Sequence, residues 1–370
     1  MGRLSPAETK PGERVGGPKA RSRLRFLPPD ATSDARVLLV ARGVRAFGDG
    51  FISVLLPLYL ASLGFTGLRI GGITTATLVG SGALTLAVGL LAYRFKRRHL
   101  LFSAAVLLTA TGLGFVFVHA FWPLLVVAFV GTLNPSSGDV SVFLPLEQAL
   151  LPQTVPATER TALFARYSLV GSLLGAVGAL GAGLPAFLAT HTSLGLEGAL
   201  QGMFGLYALI GVGVLVLYRD LSPRIEPGTG APDAPLRESR RIVYTMAALF
   251  SLDSFGGGFV VQSLLALWLF ERFHLSAAAA GTIFFWAGLC SAASYLAAVP
   301  LARRFGLVNT MVFTHLPSNL FLILVPFMPN LPRAIALLRA RNALSQRDVP
   351  TRNSYVMAVV TPPNGRRRSA

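Results

Sequence analysis

Charge is scarce in this chain. Only 49 of its 370 residues are Asp, Glu, Lys or Arg, about half the share of a soluble globular protein, while the AVILMFWYC set makes up 53%. That much apolar surface excludes a water-soluble fold of this size and leaves a membrane protein as the expectation. Cysteine is scarcer still: Cys290 stands alone inside an apolar run, which excludes a disulfide framework and a thiolate metal site. The five histidines, His99, His119, His191, His274 and His315, are not at metal-ligand spacing with one another or with the cysteine, so no metal is expected. A phosphate-cradling G-x-x-x-x-G-K-[ST] loop is absent, and with it a means of using ATP; no cofactor is expected. Residues 1–36 lack an apolar stretch long enough for a signal-peptide core. Nothing resembling a catalytic dyad falls at a common depth, so an enzyme is not expected.

The charge that is present leans one way, with 33 Lys and Arg against 16 Asp and Glu, a net +17. In a soluble domain that balance would point to nucleic acid. Here the basic residues gather between long uncharged runs, Arg21, Arg23, Arg25 and Arg36 before the first and Arg94, Lys96, Arg97 and Arg98 between two others. That is the pattern of cytoplasmic loops, and the lipid bilayer rather than nucleic acid is the expected partner.

A hydrocarbon core about 30 Å thick needs about 20 mostly apolar helical residues. Against that length the chain divides into ten spans. The first two cover 37–63 and 70–93. Two more share the stretch Leu100–Gly138, which holds no Asp, Glu, Lys or Arg and turns at His119, Trp122 and Pro123. The fourth is expected to continue through Asn134, Asp139 and Pro145 towards Gln148. The rest cover 161–188, 199–218, 242–270, 276–299, 306–328 and 332–360. The fold class is therefore all-α, a polytopic membrane protein with six spans before a Pro-rich, charged stretch and four after it. The domains are a disordered basic cytoplasmic arm (1–36), an N-terminal six-helix bundle (37–218), a cytoplasmic linker (219–241), an incomplete four-helix C-terminal bundle (242–360) and a basic tail (361–370). Segments on one side hold 23 Lys and Arg, and those on the other hold three, Arg69, Arg272 and Arg333. Both termini are expected in the cytoplasm.

The two halves repeat. Phe47-Gly48-Asp49-Gly50-Phe51 and Phe255-Gly256-Gly257-Gly258-Phe259 open corresponding spans, and each half closes its second span with a basic loop, Tyr93-Arg94-Phe95-Lys96-Arg97-Arg98 or Arg303-Arg304-Phe305-Gly306. Asn134 to Val140 is echoed by Asn342 to Val349, after which the second half lacks two spans by symmetry; truncation or a shifted reading frame is the expectation.

Gly89-Leu-Leu-Ala-Tyr93-Arg94-Phe95-Lys96-Arg97-Arg98 is similar to the loop motif G-x-x-x-D-R-x-G-R-R of the major facilitator superfamily, and the resemblance covers about residues 36–363. It implies two helical bundles around a central cavity, alternating access and, often, proton coupling. It also implies a gating role for Gly89, Arg94, Arg97 and Arg98, with Arg304 and Gly306 in the second copy. Tyr93 and Arg303 stand in the motif's acidic positions, so the ion pair it implies lacks its acid here. Asn134 stands where the family's fourth helix places an Arg, and Leu184 splits the Gly-Pro pair of its antiporter motif into Gly183 and Pro185.

An ionisable residue within a span is expensive in lipid and therefore a functional candidate. Asp49 lies roughly 18 Å into the first span and Asp253 roughly 16 Å into the seventh, both near the midplane at near-equivalent places in the repeat. Arg45 and Arg42 share a face with Asp49, which leaves two readings: Arg45 and Asp49 neutralise each other along the helix, or they bind solute or proton. Asp253 has no basic residue within a turn in its own span, which suits a proton carrier or a partner for another helix's arginine. Asp139 and Glu147 share a face of span four, and Arg347 in the arginine-rich tenth span could attract an anionic group or pair at the membrane edge. The glycines of span five suit close helix packing.

The function expected is secondary active transport of a small organic solute, with protons as a candidate coupling ion. The alternative is a non-transporting truncated remnant or membrane interaction protein. The compact loops and the resemblance together favour a bacterial inner membrane.

Overall fold

In lipid a chain so poor in charge has to satisfy its backbone within each segment, and helices do that. The computed structural model describes residues 31–91, 94–136, 141–156, 159–226 and 260–345, with Thr245, Ala248 and Leu249 besides. Among these residues the fold is all-α, without a strand. The first half contains α1 (Ser33–Ser62), α2 (Gly67–Leu91), α3 (Arg97–Phe117), α4 (Phe121–Val130), α5 (Phe143–Leu150), α6 (Arg160–Leu180), α7 (Leu184–His191) and α8 (Leu196–Arg219). The second contains α9 (Gln262–Phe273), α10 (Ala277–Phe305), α11 (Leu307–Leu324) and α12 (Leu331–Ser345). Six described helices are long and apolar enough to cross a membrane: Ser33–Ser62, Gly67–Leu91, Arg97–Phe117, Ala162–His191, Leu196–Arg219 and Ala277–Ser294. The arm at 1–30, the linker from 227, positions 346–360 of the tenth span and the tail at 361–370 lie outside the described residues.

Span four differs from its expected course. Its helix stops at Val130, residues 131–136 are not helical, and the next described helix begins at Phe143. Pro135 disfavours a helical Asn134, and the freed backbone groups find local partners instead. The Thr132 N–H donates to Thr111 Oγ1 at 3.1 Å, and the Ser136 N–H to Asn134 Oδ1 at 3.0 Å. Span five is interrupted more gently, by a 3₁₀ turn at Gly181–Gly183 before Pro185 restarts the helix.

The core is centred on α1, which is buried along most of its length and packs on α6, α8 and α9. Glycine sets the α1–α6 distance: a Cβ on Gly50 would stand 2.1 Å from the Gly175 carbonyl oxygen, and one on Gly178 would stand 2.0 Å from that of Phe47. Only a stripe of small residues lets two backbones meet so closely. Farther out, α3 packs on α8 and α2 on α4, while α10 lies against α6 and carries α11 and α12. Large side chains such as Leu86, Phe129, Leu209 and Leu316 point outward, as a surface solvated by lipid allows. The bundle has a basic end, with Arg97, Arg98, Arg160, Arg219 and Arg304, and an opposite end formed by the turns after α1, α3, α7, α9 and α11.

Candidate functional site

Arg42, Arg45 and Asp49 face one way along α1, and all three are buried. A buried charge costs several kcal/mol unless it is paired, so the partners decide what each can do. Arg45 pairs with Glu147 of α5, a residue of 0% exposure. Glu147 also accepts the hydroxyls of Tyr167 on α6 and of Tyr218 on α8, the latter at 2.6 Å. The Arg45 guanidinium lies 4.1 Å from the centre of the Phe143 ring, a cation–π contact strengthened by desolvation. Arg42 lies 5.3 Å from the centre of the Tyr167 ring and occupies the space that a Cβ on Gly171 would need. Glu147 is thus held by three donors from three helices.

Asp49 is held differently. Its Oδ1 accepts the Tyr207 hydroxyl at 3.1 Å, and its Oδ2 accepts the Asn134 amide at 3.4 Å. Both distances are long for bonds to a carboxylate, and neither donor is charged. The short ion pair of Arg45 is with Glu147, while Arg45 and Arg42 remain the nearby cations that Asp49 interacts with along α1. The reason is tertiary: α5 delivers a carboxylate from across the bundle to the guanidinium, while the break in span four turns Asn134 towards Asp49.

Tyr207 and Tyr218 were not among the residues singled out from the sequence. They belong to a buried stripe of α8, Phe204, Tyr207, Gly211, Val214 and Tyr218, whose helical spacing is legible in the sequence. Asp139, Asp253 and Arg347 lie outside the described residues.

The site adjoins the seam between the halves. Pro57 has no N–H to give the Ser53 carbonyl four residues back, and that carbonyl accepts the Ser263 hydroxyl of α9 at 2.8 Å. Gln262 Nε2 donates to Ser53 Oγ at 2.8 Å. The Ser263 N–H donates to the Pro135 carbonyl at 3.1 Å, and the Ser263 hydroxyl lies equally near that oxygen. Deeper in, Ser172 Oγ donates to the Gly288 carbonyl at 3.2 Å. A Cβ on Gly281 would lie 2.3 Å from the Ala179 carbonyl oxygen, so α10 meets α6 backbone to backbone. The bonds that Gln262 and Ser263 make to Ser53 and Pro135 lie nearer the opposite end of the bundle than Asp49 does, whereas Ser172 and Gly288 meet near the level of Arg42.

The sequence model of the Major Facilitator Superfamily matches residues 38–340. The chain belongs to the Major Facilitator Superfamily. An uncharacterized membrane protein of Saccharomyces cerevisiae is 27% identical over 367 residues, which span 90% of this chain and 82% of the yeast protein. Three solved structures show the same fold. A bacterial homolog of the human lysosomal transporter Spinster, in an inward-facing state, has a TM-score of 0.61 at 13% identity, covering 91% of this chain and 77% of its own. The xylose transporter XylE from E. coli has 0.60 at 14%, covering 90% and 86%, and the human organic anion transporter TETRAN 0.56 at 18%, covering 89% and 86%. The superfamily assignment makes this an integral membrane protein of a transporter class.

In this superfamily member the basic loop between α2 and α3 is tied to its own half. Glu226, beyond α8, accepts the backbone N–H groups of Arg97 at 3.0 Å and Arg98 at 2.8 Å, placing negative charge at the N-terminus of α3. The Arg97 guanidinium donates to the Ala149 carbonyl at 3.1 Å and that of Arg98 to the Arg219 carbonyl at 2.7 Å, both at helix C-terminal ends. Gly89 is exposed, with open space where a Cβ would stand, and Arg94 is exposed. In the second copy Arg304 is exposed and lies 5.5 Å from the centre of the Phe305 ring, while Gly306 takes a φ of 83° that glycine alone adopts without strain. Glu226 escaped the sequence reading because it sits 129 residues from its partner Arg97, in a stretch read as linker.

Proposed function

We propose that this membrane transporter is a secondary carrier of a small organic solute, working by alternating access of its two halves, and that Asp49 binds the solute or a coupling proton. The observation that carries the reading is the contrast between two buried carboxylates. Glu147 is saturated by Arg45, Tyr167 and Tyr218, and a group so fully bonded is structural. Asp49 has two long hydrogen bonds from uncharged donors, one of them from a discontinuous span, with Arg45 and Arg42 as nearby cations rather than hydrogen-bonded partners, and broken spans near the midplane are where carriers build their sites. Its formal charge can therefore be exchanged at lower cost.

The excess of Lys and Arg supports a cytoplasmic basic end and cytoplasmic termini. With that orientation, the bonds of Gln262 and Ser263 to Ser53 and Pro135 on the outer side of Asp49 support a state closed to the outside, one of the two that alternating access requires.

The test is reconstitution of the chain in liposomes, with uptake of radiolabelled xylose and of benzoate, a small organic anion, followed with and without an inward proton gradient. The two probes represent the solute classes named for structural neighbours. Uptake of either above protein-free vesicles, enhanced by the gradient, is the expected result. Equal uptake in both kinds of vesicle for both probes would favour a membrane interaction protein.

A further inference from the structure

Two adjacent residues in the break of span four face opposite ways. Asn134 gives its amide to Asp49 of α1, at 3.4 Å. Pro135 gives its carbonyl to the Ser263 N–H of α9 at 3.1 Å, with the Ser263 hydroxyl shared between that oxygen at 3.1 Å and the Ser53 carbonyl at 2.8 Å. The same Asn134 side chain accepts the Ser136 N–H at 3.0 Å, an Asx-type turn that wraps Pro135 and makes the three residues move together. Thr132 is anchored to Thr111 on α3, which fixes the flank of the segment that precedes Asn134.

We infer that the Asn134–Pro135 segment is a latch that transmits the charge state of Asp49 to the seam between the halves. While Asp49 is anionic, it holds the Asn134 amide and so presents the Pro135 carbonyl to Ser263, keeping the opposite end closed. When that charge is neutralised the charge-assisted bond is lost, the turn relaxes, and the Pro135 to Ser263 contact weakens. Asn134 is a positioning residue in this scheme, acting on the seam through Pro135. The inference rests on the reading of Asp49 given above. The charged and titratable groups around Asp49 are Arg42 and Arg45 on its own helix and Tyr207 on α8, with Glu147, Tyr167 and Tyr218 behind Arg45. None of these spans the two halves.

The test measures seam opening without needing a substrate. Spin labels on Leu194→Cys and Asn330→Cys, exposed turns in different halves at the opposite end, are placed in the full chain with Cys290→Ser, and their separation is read by pulsed EPR in detergent. Asp49→Asn, Asn134→Ala, Ser263→Ala and Ser263→Pro are compared. The proline variant removes the N–H to Pro135 at a first-turn position that tolerates it, and Ser263→Ala, which removes only the hydroxyl shared with the Ser53 carbonyl, is its control. Asp49→Asn, Asn134→Ala and Ser263→Pro are each expected to lower the closed-to-open population ratio about fivefold, the equivalent of one modest hydrogen bond. Ser263→Ala, which keeps the N–H, should do less. Asp49→Asn combined with Ser263→Pro should shift the ratio no further than the larger single change, because both break one chain of contacts. A shift with Ser263→Pro but none with Asp49→Asn or Asn134→Ala would overturn the latch, as would fully additive effects. If Asp49→Asn alters solute uptake yet leaves the distances unchanged, the latch fails and the role of Asp49 in transport stands. If it changes neither, both fail.

Discussion

Arg45 and Asp49 lie one turn apart on the same face of α1, and each is bonded to a different helix: the guanidinium to Glu147, the carboxylate to Asn134 and Tyr207. That division leaves Glu147 with a hydrogen-bonded guanidinium and Asp49 with hydrogen bonds from uncharged donors only. Four formal charges, on Arg42, Arg45, Asp49 and Glu147, balance within one buried cluster, so the fold tolerates them in an apolar setting.

Removing the Glu147 charge alone takes from buried Arg45 its hydrogen-bonded carboxylate and leaves two cations against Asp49 in the cluster. Glu147→Gln is expected to lower stability by about 3–5 kcal/mol, seen as a large drop in the thermal midpoint in detergent. Replacing the pair together, Arg45→Met with Glu147→Leu, should recover most of it. A double variant as unstable as the single one would mean that the pair has a role beyond mutual compensation.

Tyr207→Phe keeps the ring that packs on Gly48 and removes one of the two donors to Asp49. The expected stability loss is about 1 kcal/mol, well below that of Glu147→Gln, together with an altered pH profile of uptake. Similar losses for the two variants in thermal unfolding would contradict the distinction between the carboxylates.

Glu226→Gln weakens two charge-assisted bonds at the start of α3. Hydrogen exchange at the Arg97 and Arg98 amides should accelerate about tenfold while exchange within α8 is unchanged. Unaltered exchange at those amides would show that the loop is held by the Arg97 and Arg98 side chains alone.

Gly178→Ala and Gly89→Ala make opposite predictions from one substitution type. The first drives a methyl into the Phe47 carbonyl and should abolish a monodisperse peak in size-exclusion chromatography. The second meets open space and should leave stability unchanged or slightly raised. If Gly89→Ala folds normally but slows uptake, the basic loop acts in the conformational cycle, as the family resemblance implies.

Much of this architecture is legible in the sequence, because hydropathy and charge report the solvent a segment meets. The uncharged runs place the ends of α1, α2 and α8 to within four residues, and the cost of charge in lipid singles out Arg45, Asp49 and Glu147. Which of these pair is not legible, since Arg45 and Glu147 are separated by 102 residues and a pairing across a bundle depends on how helices pack. The break in span four is hidden for a related reason: Thr132, Asn134 and Pro135 sit in a stretch without Asp, Glu, Lys or Arg, and hydropathy does not register a lost backbone bond. Tyrosines 167, 207 and 218 carry no formal charge and so pass for apolar packing, although their hydroxyls do much of the hydrogen bonding.

The most direct test of the central claim is proton-gradient-driven uptake by liposomes containing Asp49→Asn, set beside the unsubstituted chain and Glu226→Gln at matched reconstitution. The account predicts that Asp49→Asn lowers the thermal midpoint less than Glu147→Gln does and loses the gradient-dependent part of uptake, while Glu226→Gln retains it. Undiminished gradient-driven uptake by a well-folded Asp49→Asn protein would contradict the account and make Asp49 as structural as Glu147.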